Sequence, residues 1–184
     1  MSGGMGGGEA GVPDDLLTTK GDTHGFSTVN ARIPIGSDNN VLTADSTEAL
    51  GVAWLDASSI KHAVAVTFAC GNESTVLSAE QVISFRMPFA MTLNAGTSGV
   101  KGSLVTAGTG ANLVTVDINE SGSTILSTKL TFDATETTTT TASTPVVISD
   151  TALASDAIIT VDVDQVDSGG VGAGLKITLL GVLA

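Results

Sequence analysis

The chain has 184 residues, enough for one ordinary domain and an appendage but hardly for two full domains. It carries 7 basic and 19 acidic residues, a formal net charge of −12. Nucleic-acid binding is therefore not expected, because it depends on Lys and Arg neutralising phosphates. Hydrophobic residues make up 42% of the chain, so it can bury a core and is not disordered throughout.

The residue types favour strands and turns over helices. Aromatic residues are only 3% of the chain and Gly occurs 22 times, beside many small and β-branched residues. The single cysteine, Cys70, excludes an intrachain disulfide, and we expect synthesis in a reducing compartment. The Gly-rich start does not resemble a signal peptide, and no stretch reaches the roughly 18 apolar residues of a membrane span.

Residues 1–59 differ in sequence pattern from the rest of the chain, because turn-forming residues recur between short apolar patches. Such a segment cannot close a core alone. It is either a disordered leader or an extended Gly-rich N-terminal arm that anchors the protein by ordering against a partner. The apolar residues that would anchor the arm are Leu16, Leu17, Ile33, Ile35, Val41, Leu42 and Trp54.

Residues 60–184 show the two-residue alternation of strands with one buried face. Val114, Val116 and Ile118 share one face, for example. Turn signals separate the alternating runs. Strands are expected at 62–68, 81–86, 89–93, 99–106, 112–119, 123–128, 130–132, 145–149, 157–164 and 174–181. The sequence therefore predicts an all-β, jelly-roll-like antiparallel β-sandwich over 60–184, preceded by the arm.

On some predicted strands, the face that points away from the core carries small or apolar residues rather than charged ones. Ala63, Ala65 and Thr67 share such a face, as do Leu180 and Val182. These faces are either tolerated surface, since much protein surface is apolar, or the contact area of a symmetric oligomer. A closed homo-oligomer would add burial that this aromatic-poor chain lacks by itself.

The sequence offers no catalytic constellation. His24 and His62 lie far apart without a partner at zinc-ligand spacing, and no Ser stands in a nucleophile elbow. Cys70 precedes a Gly-Asn turn and is interpreted as a small residue at a strand end. We therefore expect no enzyme, and no catalytic, cofactor-binding or metal residues.

Two local patterns have a functional alternative that we consider weaker. The glycines at 170–174 faintly resemble a phosphate loop, but they open a predicted strand rather than a helix, so a hairpin loop is favoured. Asp162, Asp164 and Asp167 could offer oxygen ligands to Ca²⁺, although a solvated strand face followed by a turn is the favoured interpretation.

The segments LTTKGD at 17–22, RIPIGSD at 32–38, VLTAD at 41–45 and GVAW at 51–54 resemble a part of tailed-bacteriophage fibre and appendage proteins. Thr23 and His24 stand where the family pattern has an apolar pair. The second part is similar to a phage virion module in RMPF at 86–89, VDIN at 116–119, STILSTKLT at 123–131, VIS at 147–149, DVDQV at 162–166 and GLK at 174–176. The resemblance implies a homotrimer on the virion, on the head or the tail.

The expected function is that of a non-enzymatic virion structural protein, assembled in the host cytoplasm. It would be a trimeric capsid or tail decoration, knob or short fibre, held by a capsid or tail protein through the arm. The alternative is a receptor-binding module for a host-surface glycan, with a polar cleft at the loops 94–99 and 167–173. A glycan depolymerase is least favoured, because it needs paired carboxylates that this sequence does not show.

Overall fold

A computed structural model describes residues 17–26 and 30–184. Leu16, the first of the predicted anchoring residues, lies outside the described residues. The chain divides into two compact units, Met1–Ile60 and Lys61–Ala184, which we call the hairpin unit and the sandwich unit.

The described part of the hairpin unit consists of two antiparallel β-hairpins and a short 3-10 turn. Its strands are β1 (Thr23–Phe26), β2 (Asn30–Ile33), β3 (Asn40–Ala44) and β4 (Val52–Asp56), and the turn covers Ala57–Ser59. β1 pairs with β2, and β3 pairs with β4. Turn chemistry fixes the second hairpin, because Gly51 adopts a φ of +71° and Asp45 accepts a hydrogen bond from the Thr47 amide.

The sequence analysis expected an extended arm or a disordered leader here. The described residues form short paired strands, and the anchoring role of this segment stays a prediction. The apolar patches of two or three residues are too short to show strand alternation, so their pairing into hairpins left no periodic signal in the sequence. Two-stranded hairpins of this size are at best marginally stable alone, so the hairpins still require a surface to pack against.

The sandwich unit holds the remaining strands. They are β5 (Ala63–Ala69), β6 (Gln81–Arg86), β7 (Met91–Leu93), β8 (Val100–Ser103), β9 (Val114–Glu120), β10 (Ser123–Thr124), β11 (Leu126–Thr128), β12 (Leu130–Phe132), β13 (Val147–Ile148), β14 (Ala152–Leu153), β15 (Ile158–Gln165) and β16 (Lys176–Leu183). A second 3-10 turn covers Gly96–Ser98.

Two antiparallel sheets dominate this unit. The first has the order β10-β9-β15-β6, with β12 also pairing with β9, and the second has the order β14-β7-β16-β5, with β8 also pairing with β16. β11 and β13 form a small separate pair. The chain moves repeatedly from one large sheet to the other, for example between β5 and β6, between β8 and β9, and between β15 and β16. The unit is an all-β sandwich, and the jelly-roll assignment stays a prediction.

A single hydrophobic core lies between the two sheets. It takes alternate residues of β9 and β15 from the first sheet and of β16 from the second. Phe132 of β12 reaches across to β8, where a side chain at Gly102 would come within 2.7 Å of its ring. A glycine at position 102 therefore lets the largest buried residue of the core fit against the opposite sheet.

The strands predicted for the sandwich unit are confirmed, with changes at their ends. The predicted strand at 123–128 is interrupted at Ile125, and the predicted strand at 99–106 keeps only Val100–Ser103. β14 was not predicted, because two residues between polar neighbours leave no alternation to detect.

Candidate docking site

The turn before β1 is organised by the carboxylate of Asp22, whose side chain is only 1% exposed. This carboxylate accepts hydrogen bonds from the backbone amides of Thr19 and Ile35, both at 2.8 Å, and from the Arg32 guanidinium at 3.3 Å. Burial raises the pKa of Asp22. The amide hydrogen bonds and the Arg32 charge together lower the pKa by more than burial raises it, so the net shift is downward. Asp22 thereby ties the segment before β1 to the segment after β2.

Trp54 joins the two hairpins of the hairpin unit. Its indole Nε1 donates a hydrogen bond of 2.7 Å to the carbonyl oxygen of Pro34. The ring lies against the backbone of Gly36, where an added Cβ would come within 2.6 to 2.8 Å of three indole atoms. Only glycine at position 36 permits this approach, so the ring position is fixed by the residues around it.

A groove of about 450 Å³ opens beside Trp54 and is lined by residues 32–34, 48–50 and 52–54. Its lining is mostly apolar, with Arg32 and Glu48 as the charged members. Among the predicted anchoring residues, Ile33 and Trp54 lie in this lining. A pocket of this character receives an apolar side chain or a short extended segment with a polar flank.

The opposite face of the β3–β4 hairpin is a second apolar surface. Val41 and Leu55 are direct cross-strand partners on this face, and they are 42% and 39% exposed. Leu42 and Trp54 are the next pair along the hairpin, so their side chains point to the other face, towards Pro34 and Gly36. Both faces of the hairpin therefore carry large apolar side chains.

The predicted anchoring residues are thus distributed over the hairpin unit in different roles. Ile33 is buried at 8% exposure and supports the unit itself. Leu42 and Trp54 are half-buried. Leu17, Ile35 and Val41 are exposed and available for contact. The sequence analysis missed Leu55, because no helical or strand periodicity includes it. The hairpin register identifies Leu55 by pairing it with Val41.

The aspartates weighed as a Ca²⁺ site do not converge. Asp164 accepts a 2.6 Å hydrogen bond from Lys129, which also contacts Asp117 at 3.1 Å, whereas Asp162 accepts from Asn119. Burial, then the charges of Asp117 and Asp164, raise the pKa of Asp162. Within residues 17–26 and 30–184, no group of three His, Cys, Asp or Glu side chains is arranged to hold a metal ion.

Asp167 serves the fold instead. It is 3% exposed, and its carboxylate accepts hydrogen bonds from the amides of Gly172 at 3.1 Å and Thr109 at 3.2 Å. Burial raises the pKa of Asp167, but backbone amides led by that of Gly172 outweigh this effect and lower it. The carboxylate therefore joins the loop before β16, including the glycines at 170–174, to the loop before β9.

The two loops expected to form a glycan cleft lie apart. The segment 94–99 begins and ends beside Leu180 of β16. The Asn94 amide donates a hydrogen bond to the Leu180 carbonyl, and the Leu180 amide donates one to the Gly99 carbonyl. The segment 167–173 precedes β16, which begins at Lys176. The roots of the two loops are separated by the strand from 176 to 180, about 13 Å. The polar cleft expected at these loops stays a prediction.

Comparison of the chain with protein-family models, curated protein sequences and solved structures found no match. In the part of the chain that the structure describes, no helix has the length and apolarity to cross a membrane.

Proposed function

We propose that this protein is a structural component of a tailed-bacteriophage particle, a capsid or tail decoration, knob or short fibre. It self-associates as a homotrimer, and its hairpin unit docks on a capsid or tail protein. The sequence resemblance supplies the class of protein and the three-fold state. The surface of the hairpin unit supports the mode of attachment.

The observation that carries the proposal is the imbalance between buried and exposed apolar residues in the hairpin unit. Its described residues bury one large aliphatic side chain, Ile33, while Leu17, Ile35, Val41 and Leu55 are exposed. A unit of this size without a disulfide needs another source of burial to be stable. Docking on a partner supplies that burial. Because 39% to 51% of each of these residues is still exposed, covering the remainder contributes roughly 0.6 to 1.5 kcal/mol for each side chain.

The test is incorporation of the full-length protein into particles. Val41→Glu places a charge on the exposed face of the β3–β4 hairpin and is expected to reduce incorporation strongly without unfolding the protein. Val147→Glu is the matched control, because Val147 is a 48% exposed strand residue in the sandwich unit. Incorporation is measured by mass spectrometry of purified virions, with circular dichroism of each variant as a check on folding.

Purified wild-type virions that contain none of the protein would refute the structural role. If Val41→Glu incorporates like the wild type, or if both variants are lost equally, the hairpin unit is not the specific docking surface. Electron cryomicroscopy of the particle would then locate the protein and the element that holds it.

A further inference from the structure

The side of the sandwich between β5 and β6 is incompletely closed. Each strand is at the edge of its sheet, and no further strand among the described residues pairs with either of them. Phe68 of β5 and Phe85 of β6 meet across the two sheets, with ring centroids 4.2 Å apart. We call this surface the open side. It presents unpaired backbone groups of β5 along seven residues.

The core residues on the open side are only partly covered. Val64, Val66 and Phe68 of β5 and Ile83 and Phe85 of β6 pack against the core but remain half-buried. By contrast, core residues around β11 and β13, such as Ile125, Leu126 and Val146, are buried. An apolar row between two bare strand edges is normally protected by charges, prolines or another chain.

On the open side, β5 differs from the other strands of seven or more residues because it carries no charge. Among the described strands of seven or more residues, β9 contains Asp117 and Glu120, β15 contains Asp162 and Asp164, and β16 contains Lys176. β5 has no ionisable residue. The Arg86 side chain at the end of β6 contacts Asp156.

This distribution of charge selects a second copy of the chain as the occupant. At a symmetry axis each residue meets its own equivalent, so an ionised residue there faces a like charge. With a net charge of −12, two copies repel each other over most of their surfaces. A close approach requires an uncharged apolar surface, and β5 provides one.

We propose that the open side is a homotypic interface, at which copies of this chain pack with their open sides facing one another about a symmetry axis. The proposal deepens the self-association in the proposed function and rests on it. The contact shields the edges of β5 and β6. It covers Val64, Val66, Phe68 and Phe85 on the core side and the exposed Ala65 on the outer face of β5.

Disulfide trapping of the full-length chain tests this arrangement. Ala65 is an exposed residue of β5, and Ala65→Cys introduces one accessible thiol. The native Cys70 is buried, and burial raises its pKa to about 12, so it does not compete. Ser123→Cys in the exposed strand β10 is the matched control. Under mild oxidation we expect Ala65→Cys to double in mass on a non-reducing denaturing gel, and Ser123→Cys to stay at monomer mass.

A second measurement uses charge. Ala65→Lys and Ala65→Glu should both lower the mass of the wild-type oligomer in light scattering, because either charge meets its own equivalent. Loss of association with only one sign would indicate a different, charged partner surface and would overturn the proposal.

The remaining outcomes separate the interface from the proposed function. If the wild type is oligomeric but none of the variants Ala65→Cys, Ala63→Cys and Thr67→Cys forms cross-links, the proposed interface is overturned and self-association remains. Equal cross-linking at Ala65 and Ser123 indicates random collision and also overturns it. A wild type that stays monomeric at high concentration removes both the interface and the trimer. Docking on the particle is tested separately, by the incorporation of Val41→Glu compared with Val147→Glu.

Discussion

The carboxylate of Asp167 is expected to be a major determinant of the stability of the sandwich unit. Asp167→Asn keeps the shape of the side chain but removes its charge and turns one acceptor oxygen into an amide donor. Since Oδ1 accepts from Gly172 and Oδ2 from Thr109, either orientation of the new amide leaves one backbone donor facing another donor. The loops before β9 and β16 would then lose their common acceptor.

The magnitude follows from these contacts. A hydrogen bond to a charged group contributes about 1.5 to 3 kcal/mol, and an unsatisfied buried donor costs a similar amount. We expect the free energy of unfolding to fall by about 2 to 3 kcal/mol at pH 7. For a chain of this length, this corresponds to a Tm lower by roughly 5 to 10 °C.

The effect should depend on pH with a definite sign. The pKa of Asp167 is lower in the folded protein than its ordinary value of 3.8, so its stabilisation is complete above that value. It is lost as the pH falls below 3.8 through the folded pKa. The difference in stability between the wild type and Asp167→Asn should therefore shrink in strongly acidic solution.

Asp162→Asn is the matched comparison, since the same substitution should act in the opposite direction. Burial and the neighbouring charges of Asp117 and Asp164 raise the pKa of Asp162, so its charged form destabilises the fold. Removing the charge should stabilise the protein by up to about 1 kcal/mol at pH 7, a gain that disappears as the pH falls through the raised pKa. An amide oxygen can still accept the hydrogen bond from Asn119.

Thermal unfolding followed by far-ultraviolet circular dichroism provides the assay, with the wild type and both variants measured from pH 7 down to strongly acidic solution at about pH 2. The reasoning is refuted if Asp167→Asn unfolds at the wild-type temperature. It is equally refuted if Asp162→Asn is destabilised as much as Asp167→Asn, because the substitution rather than the environment would then set the effect.

Two further predictions concern single residues in each unit. Gly36→Ala should displace the Trp54 ring, because the new Cβ would lie 2.6 Å from an indole atom, and tryptophan fluorescence should change while the unfolding of the sandwich unit stays the same. An unchanged emission spectrum would contradict the contact. Cys70, with its pKa raised to about 12 by burial, should resist a thiol reagent at pH 8 and react only after unfolding in guanidinium chloride. Rapid labelling of the native protein would show that the thiol is accessible.

The sequence determined the all-β class and most strands of the sandwich unit. Residues such as Val114, Val116 and Ile118 alternate because one face of their strand is buried, and this local pattern can be read without tertiary information. The apolar residues of the first sixty positions were also visible, although only the hairpin register separated buried Ile33 from exposed Val41 and its partner Leu55.

The tertiary structure alone decided which side chains meet. Asp162 and Asp167 are both aspartates near the end of one strand, yet one faces other carboxylates and the other faces backbone amides from two loops. Phe68 and Phe85 form the open side only because β5 and β6 are the edges of different sheets. Periodicity reports whether a residue is buried, whereas sheet order and loop packing set its neighbours, and those depend on contacts between residues distant in the chain.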